Sequence, residues 1–391
     1  MKKEMLDLDY LRSKKEIFYW VHFILFVMTK LNVFVSNYVR VPILLMYLVG
    51  AFLILIKNSK FINSKLQNSK VKLMLLFGIY MILNAVIMKL LNVYVIYWVV
   101  TFIFIKELRF SKNEILSLIN KTAIVYFIIS ILLNYTPLKT LSWYEIRQIR
   151  SRFLPFAYRF IGVSSTPAGP DIFYLIVLIS NLILNKGKSK YFYMILGFVV
   201  VIWAASLSPF MSLFGAIIIL PFTKNKAIKV IYGSMLWLYQ FIIMAAYAFG
   251  VEGLRHILNV LSTTRSMIWY HLYLNFMEKS SFTQFLFGRS ELVEFWHFLK
   301  LINNPHNFSL IVIQFAGIIG YSIIIIFATF NFQKLQDKYT IFMISLLMIY
   351  SSTNTYIFTI RGNPIFIYIL IAYLFSRNEA KVEAKTEAKL Q

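Results

Sequence analysis

Apolar runs of bilayer-crossing length recur along this chain, and they constrain its fold more than any other feature. A bilayer's hydrocarbon core is about 30 Å thick, and a helix crosses it in about 20 apolar residues. Runs of this kind fall at 17–35, 41–56, 71–88, 90–105, 115–134, 171–185, 191–207, 209–222, 228–250, 307–330, 339–359 and 363–376. The strands of an outer-membrane barrel alternate apolar and polar at every second residue, and these runs do not. The expectation is an all-α polytopic membrane protein with about 12 transmembrane helices. Of 391 residues 59% are hydrophobic and 14% charged, where a soluble chain carries about 25% charged residues. A soluble enzyme, a disordered protein and a disulfide scaffold are thereby excluded. The chain has no cysteine, which removes disulfides, thiolate metal sites and cysteine nucleophiles.

A net charge of +24 would point to nucleic acid in a soluble protein; here it reads as topology, and no nucleic-acid partner is expected. Short connections carry lysine: Lys57 to Lys72, Lys106 to Lys112, Lys186 to Lys190, Lys224 to Lys229, and Lys334 with Lys338. Both termini are basic as well, and the positive-inside rule puts both in the cytoplasm, with the chain in the cytoplasmic (inner) membrane. The first apolar run lacks a small-residue cleavage site, so no signal peptide is expected. The organisation expected is N-terminal transmembrane helices over 1–134, an outer loop over 135–170 and middle transmembrane helices over 171–250. A large outer loop over 251–306, C-terminal transmembrane helices over 307–376 and a cytoplasmic tail over 377–391 follow.

The two long outer loops hold a different basic residue. They carry Arg147, Arg150, Arg152, Arg159, Arg255, Arg265 and Arg289, whereas the inner connections carry mostly lysine. Arginine presents a rigid, permanently charged fork that grips phosphate at two points; lysine is a point charge. The competing reading is a belt that anchors lipid headgroups.

Within the large loop, Arg265 and Trp269 are four apart and share one face of a helix running to about Met277. Alone, that stretch reads as an interfacial helix with a snorkelling arginine. Leu286-Phe287-Gly288-Arg289-Ser290 follows, then Asn303-Asn304-Pro305-His306-Asn307. Pro305 suits the first turn of a helix with Asn303 or Asn304 as cap. His306, Leu310, Ile313, Gly317 and Gly320 then fall on one face, where the two glycines would let a neighbouring helix approach closely and hold the helix of His306 rigidly. In the other loop, Arg159-Phe160-Ile161-Gly162 precedes Pro167 and Pro170, either an anion-binding nest or a plain turn. Acids in the outer loops and at the span edges are few, with no pair at metal-ligand spacing and no Walker-type loop, so neither a metal nor a cofactor is expected.

Arg159-x-x-Gly162 with Pro167, Arg265-x-x-x-Trp269, Phe287-Gly288, and His306-Asn307-x-x-Leu310 with Gly317-x-x-Gly320 together resemble the O-antigen ligase and Wzy-type polysaccharide polymerase superfamily. The resemblance covers roughly residues 159–321. A second glycine frequent after Phe287-Gly288 is Ser290 here, and an acid often seen before the glycine pair is replaced by Phe315. The resemblance implies a GT-C-like fold and transfer of glycans carried on undecaprenyl diphosphate at the outer membrane–water boundary. It implies that paired loop arginines hold the diphosphate and that a loop histidine sits beside the acceptor.

The chemistry of the residues runs the same way. Arginines aimed at a leaving diphosphate would stabilise its growing charge, and His306, with an ordinary pKa near 6.5, would take the acceptor's proton. The residues expected to act are His306, Arg265 and Arg159, with Arg289, Arg152, Arg150, Asn307 and Trp269 binding substrate. The expected partners are an undecaprenyl-diphosphate-linked oligosaccharide, membrane lipid and a chain-length regulator protein. A polymerase of lipid-linked repeat units is favoured over a ligase-type transferase to another acceptor. A lipid-linked oligosaccharide flippase or transporter is the alternative from another class, weakened by the lack of an internal repeat.

Overall fold

The computed structural model describes Leu76, Ile79, Tyr80, residues 112–135, Phe160, 170–204, 207–262, 265–289, 295–297, 300–302, 307–333, 335 and 337–353. These residues are almost entirely helical. In chain order the elements are α1 (Lys112–Tyr135), α2 (Pro170–Leu184), α3 (Ser189–Ala204) and α4 (Leu207–Ile219), the last continued by a 3-10 turn over Leu220–Lys224. Then come α5 (Lys226–Phe249), α6 (Glu252–Ser262), α7 (Arg265–Lys279) and α8 (Phe282–Phe287). A two-stranded hairpin, β1 (Phe295–His297) and β2 (Lys300–Ile302), precedes α9 (Phe308–Gln333) and α10 (Lys338–Thr353). The hairpin is antiparallel, with Trp296 opposite Leu301, and is an exception to the all-α expectation.

Helices α1 to α5, α9 and α10 coincide with the apolar runs expected between 115 and 359. Two of them, over Asn113–Leu132 and Ser309–Phe330, are long and apolar enough to cross a bilayer, and α5 is a third if its two bent halves are one span. At 15 and 16 residues, α2 and α3 reach only about 22–24 Å at 1.5 Å per residue, short of a full crossing as upright helices. The runs at 17–35, 41–56, 90–105 and 363–376 lie outside the described residues, so twelve spans remain an expectation from sequence.

The helix starts follow from capping chemistry. The Asn225 side chain accepts from the Ala227 N–H to open α5 (2.8 Å), and Asp337 accepts from the Thr340 N–H to open α10 (3.1 Å). Ser281 and Gln284 form a reciprocal capping box on α8. Asn307 opens α9: its Oδ1 accepts from the Leu310 N–H at 3.1 Å. The cap expected at Asn303 or Asn304 thus falls instead on the asparagine after Pro305, because only a side chain next to the first turn reaches its orphan N–H groups.

The described residues fall into two compact units, one within 100–210 and one within 63–99 and 211–358. In the first, α2 is buried along most of its length between α1 and α3. Asn120 of α1 and Asn181 of α2 exchange amide hydrogen bonds at 3.0 and 2.7 Å, and the Tyr174 hydroxyl donates to the Ala123 carbonyl. Paired amides satisfy each other where no water reaches, which fixes the register of two apolar helices. The outer stripe of α3, Tyr191, Phe192, Ile195, Phe198 and Val199, is exposed. A wholly apolar exposed stripe is what a lipid-facing helix presents.

In the second unit α5 is the central helix, packed against α7, α9 and α10. Its inward residues Trp237, Gln240 and Met244 are buried, while Ile231, Met235, Leu238 and Ile242 are exposed on the other side. Lys229 donates to the Leu335 carbonyl and ties the start of α5 to the α9–α10 turn.

Candidate functional site

The loop expected over 251–306 is built as α6, α7, α8 and the hairpin, and α7 is the element that places Arg265. Asn259 of α6 caps the start of α7: its Oδ1 accepts from the Ser266 hydroxyl (2.8 Å) and the Met267 N–H (3.2 Å). Ser266, Trp269, Leu272 and Phe276 form the buried face of α7. Trp269 is 2% exposed, packs with Met244 and Leu310, and meets the Tyr239 ring edge-on at 6.0 Å. Its ring is therefore a keel that seats α7 on α5 and α9. An exposed interfacial helix, the simplest expectation for this stretch, is replaced by one that buries its aromatic face in the second unit.

Arg265 stands one turn before Trp269 on the same face, and its side chain is partly buried. Burial pulls its pKa down, opposed in part by Tyr239 of α5 and Tyr350 of α10. Among the described residues no carboxylate pairs with this guanidinium. Arginine keeps its proton at any physiological pH, so a partly desolvated positive charge is held among aromatic rings. Removing an ion from water costs several kcal/mol unless an opposite charge or a full set of hydrogen bonds compensates.

Polar side chains of α5 and α9 lie next to this cluster. The two halves of α5, Lys226–Met235 and Trp237–Phe249, meet at 51°. The Trp237 carbonyl at the bend accepts from the Tyr321 hydroxyl and from Gln240 Nε2. Gln240 Nε2 also reaches the Tyr321 oxygen at 3.0 Å, while its Oε1 is buried with no hydrogen-bond partner. The Tyr321 ring stacks edge-on with Trp237 and Phe241.

A second irregularity interlocks α8 with α9. Gly317 breaks α9 with φ 61° and ψ −174°, and Gly288 closes α8 with φ 93° and ψ −179°. Both lie in a region open essentially only to glycine. A Cβ at Gly317 would collide with the Leu286 carbonyl, and one at Gly288 with the Phe315 carbonyl. The groups released by the break are taken up locally. The Arg289 N–H donates to the Gln314 carbonyl (2.6 Å), and the Tyr80 hydroxyl donates to the Ala316 carbonyl. Tyr80 also stacks on Phe287 and is the ring that approaches Gly320. The neighbouring helix expected at these glycines is thus the end of α8 at Gly317, whereas at Gly320 the approach is by the Tyr80 ring.

Four of the eight residues singled out from sequence are described. Arg265 and Trp269 share a face, as their spacing requires. Arg289 does not join them. Its guanidinium donates to the Lys279 carbonyl (2.7 Å) and approaches the Ser280 hydroxyl (3.4 Å), closing the far end of α7. Fourteen residues of α7 put that end about 21 Å from Arg265 along the helix axis. A cation there suits the negative end of the helix dipole, and in this structure the Arg289 guanidinium is engaged at that end of α7. Asn307 is fully buried and spends its side-chain oxygen on the cap. His306, Arg150, Arg152 and Arg159 lie outside the described residues. Sequence reading missed Tyr239, Gln240, Tyr321 and Tyr350; the available signal was a glutamine and several tyrosines inside otherwise apolar runs.

Among the described residues no three His, Asp or Glu side chains form a metal-binding group. Long apolar helices with exposed apolar stripes define an α-helical membrane protein. No family model matches the chain, and no curated protein or solved structure matches it either.

Proposed function

We propose that the protein is a membrane glycosyltransferase that polymerises lipid-linked glycan repeat units. The donor is a glycan on undecaprenyl diphosphate and the acceptor a second lipid-linked unit, joined at the outer face of the cytoplasmic membrane. The observation that carries this reading is Arg265, a guanidinium held partly out of water with no carboxylate partner among the described residues. Its charge calls for an anion, and a diphosphate matches its two-pronged geometry.

In the reaction the acceptor hydroxyl attacks the anomeric carbon while the bond from that carbon to the diphosphate oxygen breaks. The diphosphate leaves with the electron pair and the hydroxyl proton passes to His306. Configuration at the anomeric carbon inverts. Arg265 and Arg159 hold the departing charge, taking a role often given to a divalent metal, so turnover needs no metal ion. The buried Gln240 oxygen, which has no hydrogen-bond partner, supplies an uncharged acceptor suited to a sugar hydroxyl.

The test is purified protein incubated with lipid-linked repeat units in EDTA. A ladder of products is expected; its loss in EDTA with recovery on metal addition would overturn the metal-free step. The Arg265→Lys variant is expected to lose turnover, since it keeps the charge and discards the fork. Product that remains long but is found on a different acceptor would make the enzyme a ligase-type transferase.

A flippase of the same lipid-linked substrate is favoured by one observation. The adjacent helices α5 and α9 are both broken, at the Trp237 bend and at Gly317, and transporters build midplane sites from discontinuous helices. Movement of a fluorescent lipid-linked oligosaccharide across vesicles, with no change in its length, would favour that reading.

A further inference from the structure

We propose that α6 is a membrane-surface helix whose apolar stripe rests in the acyl-chain boundary of the bilayer where α5 ends. Leu254, Ile257, Leu258 and Leu261 recur at three- and four-residue spacing, one stripe of an eleven-residue helix. On the surface of a water-soluble domain such a stripe would turn inward. Here two polar residues of α6, Arg255 and Asn259, make its side-chain hydrogen bonds to the neighbouring helices, while Leu254 and Ile257 are exposed.

The Arg255 guanidinium donates to the Tyr247 and Ala248 carbonyls, both at 2.9 Å, and lies over the Tyr247 ring. Asn259, one turn on, holds the start of α7. Leu254 and Ile257 on the opposite side are 39% and 53% exposed.

The occupant follows from continuity. Ile231, Met235, Leu238 and Ile242 form the exposed apolar stripe of α5. Exposed apolar residues continue along the chain through Phe249 and Val251, 91% and 77% exposed, to Leu254 and Ile257. A surface that is lipid-facing along a spanning helix stays in lipid where it turns onto the next helix. Arg255 fixes the angle of that turn and its head stays with the α5 carbonyls. Because Asn259 caps α7, the seat of α6 on the bilayer also sets where α7 begins.

The chain has no cysteine, so single cysteines at Leu254 and Ile257, with controls at Glu252 and His256, can carry an environment-sensitive fluorophore in the full-length protein. The labelled proteins are reconstituted in phosphatidylcholine–phosphatidylglycerol vesicles with and without brominated acyl chains, and size-exclusion profiles check folding. Labels at Leu254 and Ile257 are expected to be quenched at least about twofold by brominated lipid, and those at Glu252 and His256 by aqueous iodide instead. Iodide quenching at all four positions would place the stripe in water and overturn the proposal. Protection of Leu254 and Ile257 from both quenchers, together with a dimer in the elution profile, would assign the face to a second copy and also overturn it.

Discussion

Arg265 is a charge held partly out of water, and the proposed function gives it an anionic partner. Tyr239 and Tyr350 offer phenol dipoles, enough to ease the desolvation but not to neutralise it. Arg265→Lys should weaken binding of undecaprenyl diphosphate by at least about tenfold, roughly 1.4 kcal/mol, because the bidentate fork is lost. Arg265→Gln should weaken it further, and isothermal titration in detergent compares the two. A pH series separates this residue from His306. Burial lowers the Arg265 pKa, but a guanidinium stays protonated near neutrality, so binding of the glycan-linked donor, whose diphosphate is esterified at both ends, should be flat from about pH 6.5 to 8.5. A base must be neutral to accept a proton, so with His306 as the base turnover should fall on the acid side of neutrality while binding holds. Binding and turnover falling together would remove His306 from the base role.

The elements were legible in sequence wherever period and composition agreed. The apolar runs located α1 to α5, α9 and α10 within a few residues, because a long apolar run has few ways to satisfy its backbone other than as a helix. The break in α9 was not legible. Phe315-Ala316-Gly317 reads as continuous helix, and only the arrival of Gly288 from α8 requires glycine torsions on both sides. Hydropathy likewise finds an apolar face without naming the medium that covers it. So the stretch from Arg265 to Met277 read as interfacial, whereas α7 is seated on protein and α6 carries the exposed stripe. The interlock makes a sharp stability prediction. Gly317→Ala should cost on the order of 2 kcal/mol or more, from a disfavoured torsion and a backbone collision, and should lower the Tm in detergent. Tyr80→Phe, which removes the hydroxyl from the Ala316 carbonyl, should cost about 1 kcal/mol. Wild-type stability in both variants would mean that α8 and α9 are not locked at this point.

At the scale of the whole molecule, the sequence speaks through charge as much as through hydropathy. Lysines cluster where α5 and α10 begin and where α2 passes into α3, the pattern that sets orientation in a bilayer. Cysteine accessibility mapping should find both termini on one side and residues 251–289 on the other; an opposite result would move Arg265 to the lysine side. The site itself was legible only in part, because spacing along a helix reports a shared face but not what a tertiary contact does with each side chain. Arg265 and Trp269 do share a face of α7, and the contacts of Arg289 and Asn307 at helix ends could not be read from spacing. What carries the account is therefore one guanidinium and the anion it awaits. The most direct measurement is saturable binding of undecaprenyl diphosphate to the purified protein, with inorganic pyrophosphate as competitor, for wild type and Arg265→Gln at matched Tm. Competed binding is expected in the wild type and its loss in the variant; equal binding by both proteins would rule Arg265 out as the diphosphate's partner.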